Sequence, residues 1–101
     1  QIHITPTPLH IPEAFSPNND GINETFFIRG LEFYPNNSII IYDKQGNKLY
    51  ESDPYNNDWG GTNQFSSNPY EILPQATYFY ILDLGINERP IKGYVYINRF
   101  K

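Results

Sequence analysis

Cysteine is absent from this 101-residue chain, and so is methionine. Without cysteine there is no disulfide framework, no thiolate metal site and no cysteine nucleophile, so the core must hold by packing alone. Without methionine the chain lacks its own initiator, and Gln1 is expected to be a cut from a larger protein whose export signal lies upstream. Positive charge is also scarce. Seven Lys and Arg against eleven Asp and Glu give a formal net charge of -4, and the basic residues are scattered, which argues against nucleic acid as a partner. No apolar run approaches membrane-spanning length, so neither membrane insertion nor a leader is expected within these residues. No helical period appears anywhere.

Aromatic residues are plentiful: 9 Tyr, 7 Phe and 1 Trp. These favour strands, and a chain of this length holds one modest core. Gln1 to His10 carries Pro6 and Pro8, which remove ladder donors, and reads as a linker into a domain spanning 11–101. Short strands are predicted at Ile11 to Phe15, Thr25 to Arg29, Ser38 to Tyr42, Lys48 to Ser52, Thr77 to Leu84 and Ile91 to Arg99. Asp43 to Asn47 supplies turn chemistry for a hairpin between the third and fourth. Asp53 to Pro74 is a long Asn-, Ser-, Gly- and Pro-rich loop with Trp59 as its large anchor. About seven short antiparallel strands imply an all-β, immunoglobulin-like β-sandwich.

Two stretches invite a functional reading. In FSPNNDGINETF, Phe15 to Phe26, the side chains of Asn18, Asp20, Asn23 and Glu24 offer oxygen around Gly21 and are candidate calcium ligands. The spaced carboxylates and flanking helices of an EF-hand are missing. The simpler reading is a corner in which Asn18 and Asp20 bond their own turn and Gly21 takes a positive φ. In Asp58-Trp59-Gly60-Gly61-Thr62, the tryptophan either stacks on a sugar together with Tyr55 and Tyr70, or closes one end of the sandwich. Catalysis has no framework: nothing apolar near Asp20 and Glu24 would split their pKa values, and His3 and His10 both lie in the extended amino-terminal stretch. The aromatic strands around Tyr78-Phe79-Tyr80 and Tyr94-Val95-Tyr96 pair inside and leave an outer set for recognition, by patch contact or by strand addition.

Taken together, FSPNNDGINETF, Gly30-Leu31, Tyr34-Pro35-Asn36-Asn37, IIIYDKQGNKLYES, DWGGT, TYFYILDL and IKGYVYINR resemble the gliding-motility-associated carboxy-terminal domain of Bacteroidota, the type B sorting domain of the type IX secretion system. The resemblance implies an immunoglobulin-like tail on a large exported cargo, read by the type IX translocon and a gliding-type outer-membrane partner. It implies passage through the periplasm to the cell surface or medium. No cofactor is expected beyond the calcium that the corner offers to bind. The family's turn motif falls on Pro17, Asn18, Asp20, Gly21 and Asn23, with Asn19 where the family has glycine. Its second turn falls on Trp59, Gly60 and Gly61; the family's aspartate after the tryptophan is missing, and Asp58 precedes it instead. Gln75 and Ala76 replace the family's glycine-containing turn before TYFY. A carbohydrate-binding or adhesive module is the alternative, and it requires Trp59, Tyr55 and Tyr70 to be exposed on one face.

Overall fold

The computed structural model describes residues 9–68 and 71–99. Of the expected linker only Leu9 and His10 are among them, and His3 and Tyr70 lie outside. Strands β1 (Ala14–Phe15), β2 (Ser38–Tyr42), β3 (Lys48–Ser52), β4 (Thr77–Asp83) and β5 (Ile91–Ile97) form one sheet in the order β1-β5-β4-β2-β3. A single 3₁₀ turn, Leu31–Phe33, is the helical element among the described residues.

Period-two alternation decides which side chains go inside. Ile39 and Ile41 of β2, Tyr78, Tyr80 and Leu82 of β4, and Val95 and Ile97 of β5 are buried on one face. Ile39 pairs with Leu82, Ile41 with Tyr80, and Tyr78 with Val95, so the inner face is a continuous apolar surface. The β2–β3 hairpin closes as expected. Asp43 Oδ1 accepts the backbone N–H groups of Gln45 and Asn47, and Oδ2 accepts the Asn47 amide. These bonds, the Asn47 side chain first, hold the Asp43 carboxyl below its ordinary value. Gly46 turns the chain at φ +86°.

The sheet differs from the expected set of about seven antiparallel strands. It has five, and β1 runs parallel to β5, with Ala14 opposite Tyr96 and Phe15 opposite Ile97. Of the predicted Ile11 to Phe15 strand only two residues pair with β5; upstream of them the chain leaves that edge, and His10 bridges Arg29 instead. Thr25 to Arg29 is extended yet joins no ladder. Its backbone is satisfied by the long loop instead: the Asn57 side chain accepts the Ile28 N–H at 2.9 Å and donates to the Ile28 carbonyl at 3.3 Å. The Phe26 N–H donates to the Trp59 carbonyl at 3.0 Å, and the Tyr55 hydroxyl donates to the Phe26 carbonyl at 2.6 Å. One amide side chain thus stands where a neighbouring strand would.

Phe26, Ile28, Leu31, Tyr55, Trp59 and Leu73 form the layer that covers the inner face. The long loop is therefore part of the core and is pinned by its aromatics. Its first polar anchor is Asn37, buried, whose Nδ2 donates to the Tyr34 carbonyl and whose Oδ1 accepts the Tyr55 N–H.

Candidate functional site

The corner that follows β1 is built from its own side chains. Asn18 Oδ1 accepts the Asp20 N–H at 3.2 Å, and Asp20 Oδ1 accepts the Ile22 N–H at 2.9 Å. Glu24 reaches back across the loop, its Oε1 taking the Asn19 N–H at 3.0 Å and its Oε2 the Gly21 N–H at 2.7 Å. The Ser16 N–H closes the loop on the Asn23 carbonyl at 2.8 Å. Asn19, Gly21 and Asn23 have φ of 70°, 80° and 53°, the left-handed region that glycine and asparagine tolerate best. Asn19, standing where the family has glycine, therefore adopts the conformation a glycine would supply.

This donor pattern bears on calcium. Both oxygens of Glu24 and one of Asp20 already accept backbone N–H groups, so the loop turns donors toward its carboxylates. Among the described residues no group of three or more His, Cys, Asp or Glu is placed to hold a metal.

Trp59 sits in the core beneath this corner, 1% exposed. Its ring lies 5.4 Å from Phe15, 6.0 Å from Tyr50 and 6.3 Å from Tyr78, and its indole N–H donates to the Thr62 carbonyl at 2.9 Å. Tyr55 is 3% exposed, accepts the Trp59 N–H through its hydroxyl oxygen at 3.2 Å, and has its ionisation pushed well upward by burial. Of the two readings of Trp59, closure over the core is the one the structure holds: burial on the inner face outcompetes exposure for rings of this size, and the exposed platform that the sugar-binding alternative requires of Trp59 and Tyr55 is absent.

Corner and tryptophan loop are joined by a residue that the sequence did not mark. Arg99, two positions beyond β5, donates from Nη1 to the Pro17 carbonyl at 3.2 Å, from Nη2 to the Gly61 carbonyl at 3.1 Å and from Nε to the Leu73 carbonyl at 2.7 Å. Its own N–H donates to Gln75 Oε1 at 2.8 Å. One planar, always-charged group thereby ties the corner and two points of the long loop to the end of the last strand. Burial lowers its pKa from the ordinary value, with nearby Tyr78 acting in the opposite sense.

Of the marked residues, the structure brings Pro17 and Gly61 together through Arg99 and sets Trp59 underneath, while Asp20, Gly21 and Asn23 stand exposed at the tip beside Ile22, 64% exposed. A shallow groove of about 580 Å³ runs between corner and loop past Glu24, Gly60, Ile72 and Arg99. The sequence signal for Arg99 was a cation at the close of an aromatic strand.

The family model of the CHU_C type IX secretion signal domain matches residues 9–97, which includes the corner, the tryptophan loop and all five strands. The chain belongs to this family. As a CHU_C domain it is a sorting domain for export through the type IX secretion system. Neither the curated proteins nor the solved structures give a match to the chain. In this CHU_C domain the two motif stretches are one cross-linked unit at the end of the sheet, and no helix among the described residues is long and apolar enough to cross a membrane.

Proposed function

We propose that the domain is a non-catalytic tail, attached to an upstream cargo at a linker ending near His10, that is read as a folded unit by the outer-membrane components of the type IX apparatus. A gliding-type outer-membrane protein is the partner this reading favours, and the cargo passes through the periplasm before it reaches the surface or the medium. The family match over 9–97 carries the proposal. The corner supports it with a preformed surface: Pro17, Trp59 and Gly61 brace the loop from below, and Asp20, Gly21 and Asn23 present Ile22 to solvent.

Bracing rather than metal binding is the role we assign to Asn18, Asp20, Asn23 and Glu24, because the carboxylates already hold backbone donors. The ladder-poor layer over the inner face occupies the place that the second sheet has in an immunoglobulin-like sandwich, and we read the domain as a variant of that plan.

The test exchanges the tip alone. A reporter fused to the domain, with Ile22→Asp or Asp20→Ala and unfolding unchanged, is expected to accumulate in the periplasm. Export equal to that of the unaltered fusion would remove the tip from the read surface.

A further inference from the structure

Sheet alternation leaves β5 with a half-open edge. The Ile97 N–H bonds inward to Ala76, whereas the Tyr96 and Asn98 N–H groups bond outward to Glu13 and Phe15. The even residues of β5 therefore aim their main-chain groups away from β4. β1 covers only the Tyr96–Ile97 end, and among the described residues nothing pairs with the outward groups of Lys92 or Tyr94.

Two cross-strand rows on the outer face end at this edge. Tyr42 pairs with Phe79 and Phe79 with Tyr94, giving an aromatic row across three strands. Ile40 pairs with Ile81 and Ile81 with Lys92, giving an apolar row capped by a cation. Phe79 and Tyr94 are 42% and 51% exposed.

Resting on the sorting reading, we infer that the Lys92–Tyr94 edge of β5 receives an extended strand supplied by the secretion apparatus, which continues the sheet beyond the end of β1. The rows state what that strand carries: a large apolar side chain beside Tyr94 to prolong the aromatic row, and a carboxylate two residues away beside Lys92. β1 is the intramolecular precedent for a strand on this same edge. The bland alternative is that Lys92 merely guards an exposed edge against aggregation.

The test compares Lys92→Pro with the unaltered domain as reporter fusions in a type IX-competent bacterium. Proline deletes the outward N–H while the β4 ladder, which uses the odd residues, keeps its bonds. Export is expected to fall at least about tenfold with cooperative unfolding retained, the factor that one or two lost main-chain bonds represent. Lys92→Asp, which keeps the N–H and reverses the charge, is expected to reduce export as well, and decides the matter if the proline variant does not fold. Normal export of a folded Lys92→Pro, or of Lys92→Asp where proline prevents folding, overturns the inference. So does light scattering that shows a dimer of the unaltered domain converted to monomer by either variant, because the edge then belongs to a second copy. Failure of the unaltered fusion to be exported overturns the sorting reading itself, and with it this inference.

Discussion

Arg99 Nη2 donates to the Gly61 carbonyl at 3.1 Å, and a Cβ on Gly61 would stand 3.0 Å from the same nitrogen and 3.2 Å from Ile97 Cδ1. Hydrogen bond and missing side chain are one arrangement, since the guanidinium fills the space that a methyl group would need. Gly61 also sits at φ +85°, which other residues adopt only under strain.

Gly61→Ala is therefore expected to destabilise the domain by about 1–3 kcal/mol. Arg99→Lys keeps the charge but loses the planar fork that reaches Pro17, Gly61 and Leu73, and is expected to cost a similar amount, about 1–3 kcal/mol. Urea unfolding measures both. Because the two residues are in contact, the double variant should cost less than the two single costs added together.

Trp59→Ala should cost about 3–5 kcal/mol, the range for a large buried ring removed from a packed core. Tryptophan fluorescence supplies the complementary test. The buried indole should give a blue-shifted emission that soluble glycans neither quench nor move. Saturable quenching by a glycan would contradict its burial.

Tyr55 makes stability pH-dependent on the alkaline side. Burial, the largest cause, raises its folded pKa above the unfolded value near 10. Its contribution is complete below pH ~10 and is lost as the unfolded state ionises above it, at a slope of about 1.4 kcal/mol per pH unit. Tyr55→Phe should cost about 1–3 kcal/mol at neutral pH by leaving the Phe26 carbonyl and the Trp59 N–H without their partner. It should also flatten the decline above pH ~10, read from urea midpoints across the alkaline range.

At the corner, Glu24→Ala should free the Asn19 and Gly21 amides and speed their hydrogen exchange, with a stability loss of about 1–3 kcal/mol. Millimolar calcium should leave the melting temperature of the intact domain unchanged. A concentration-dependent rise in melting temperature would show that an ion displaces the backbone donors from Glu24.

Much of the sheet was legible because local pattern and tertiary role agree there. SIIIY and KLYES became β2 and β3 with the expected bounds, and Asp43 closed their turn as its position suggested. Thr25 to Arg29 was misread for a physical reason: its composition favours an extended backbone, but what pairs with that backbone is the side chain of Asn57, 29 residues downstream of Ile28. No periodicity encodes such a substitution. The two motif stretches were visible as turn chemistry, whereas the bridge between them depends on a three-way approach at Arg99 that only the folded chain creates. Trp59 carried both readings in sequence, and only its neighbours Phe15, Tyr50 and Tyr78 decide in favour of the core.

The most direct test of the sorting function is the fraction of a reporter, fused upstream of residues 1–101 behind an ordinary export signal, that crosses the outer membrane. It is measured in a type IX-competent bacterium and in the same strain lacking the translocon. The account predicts surface or medium localisation in the first and periplasmic retention in the second. A folded fusion that stays in the periplasm of both strains would contradict it.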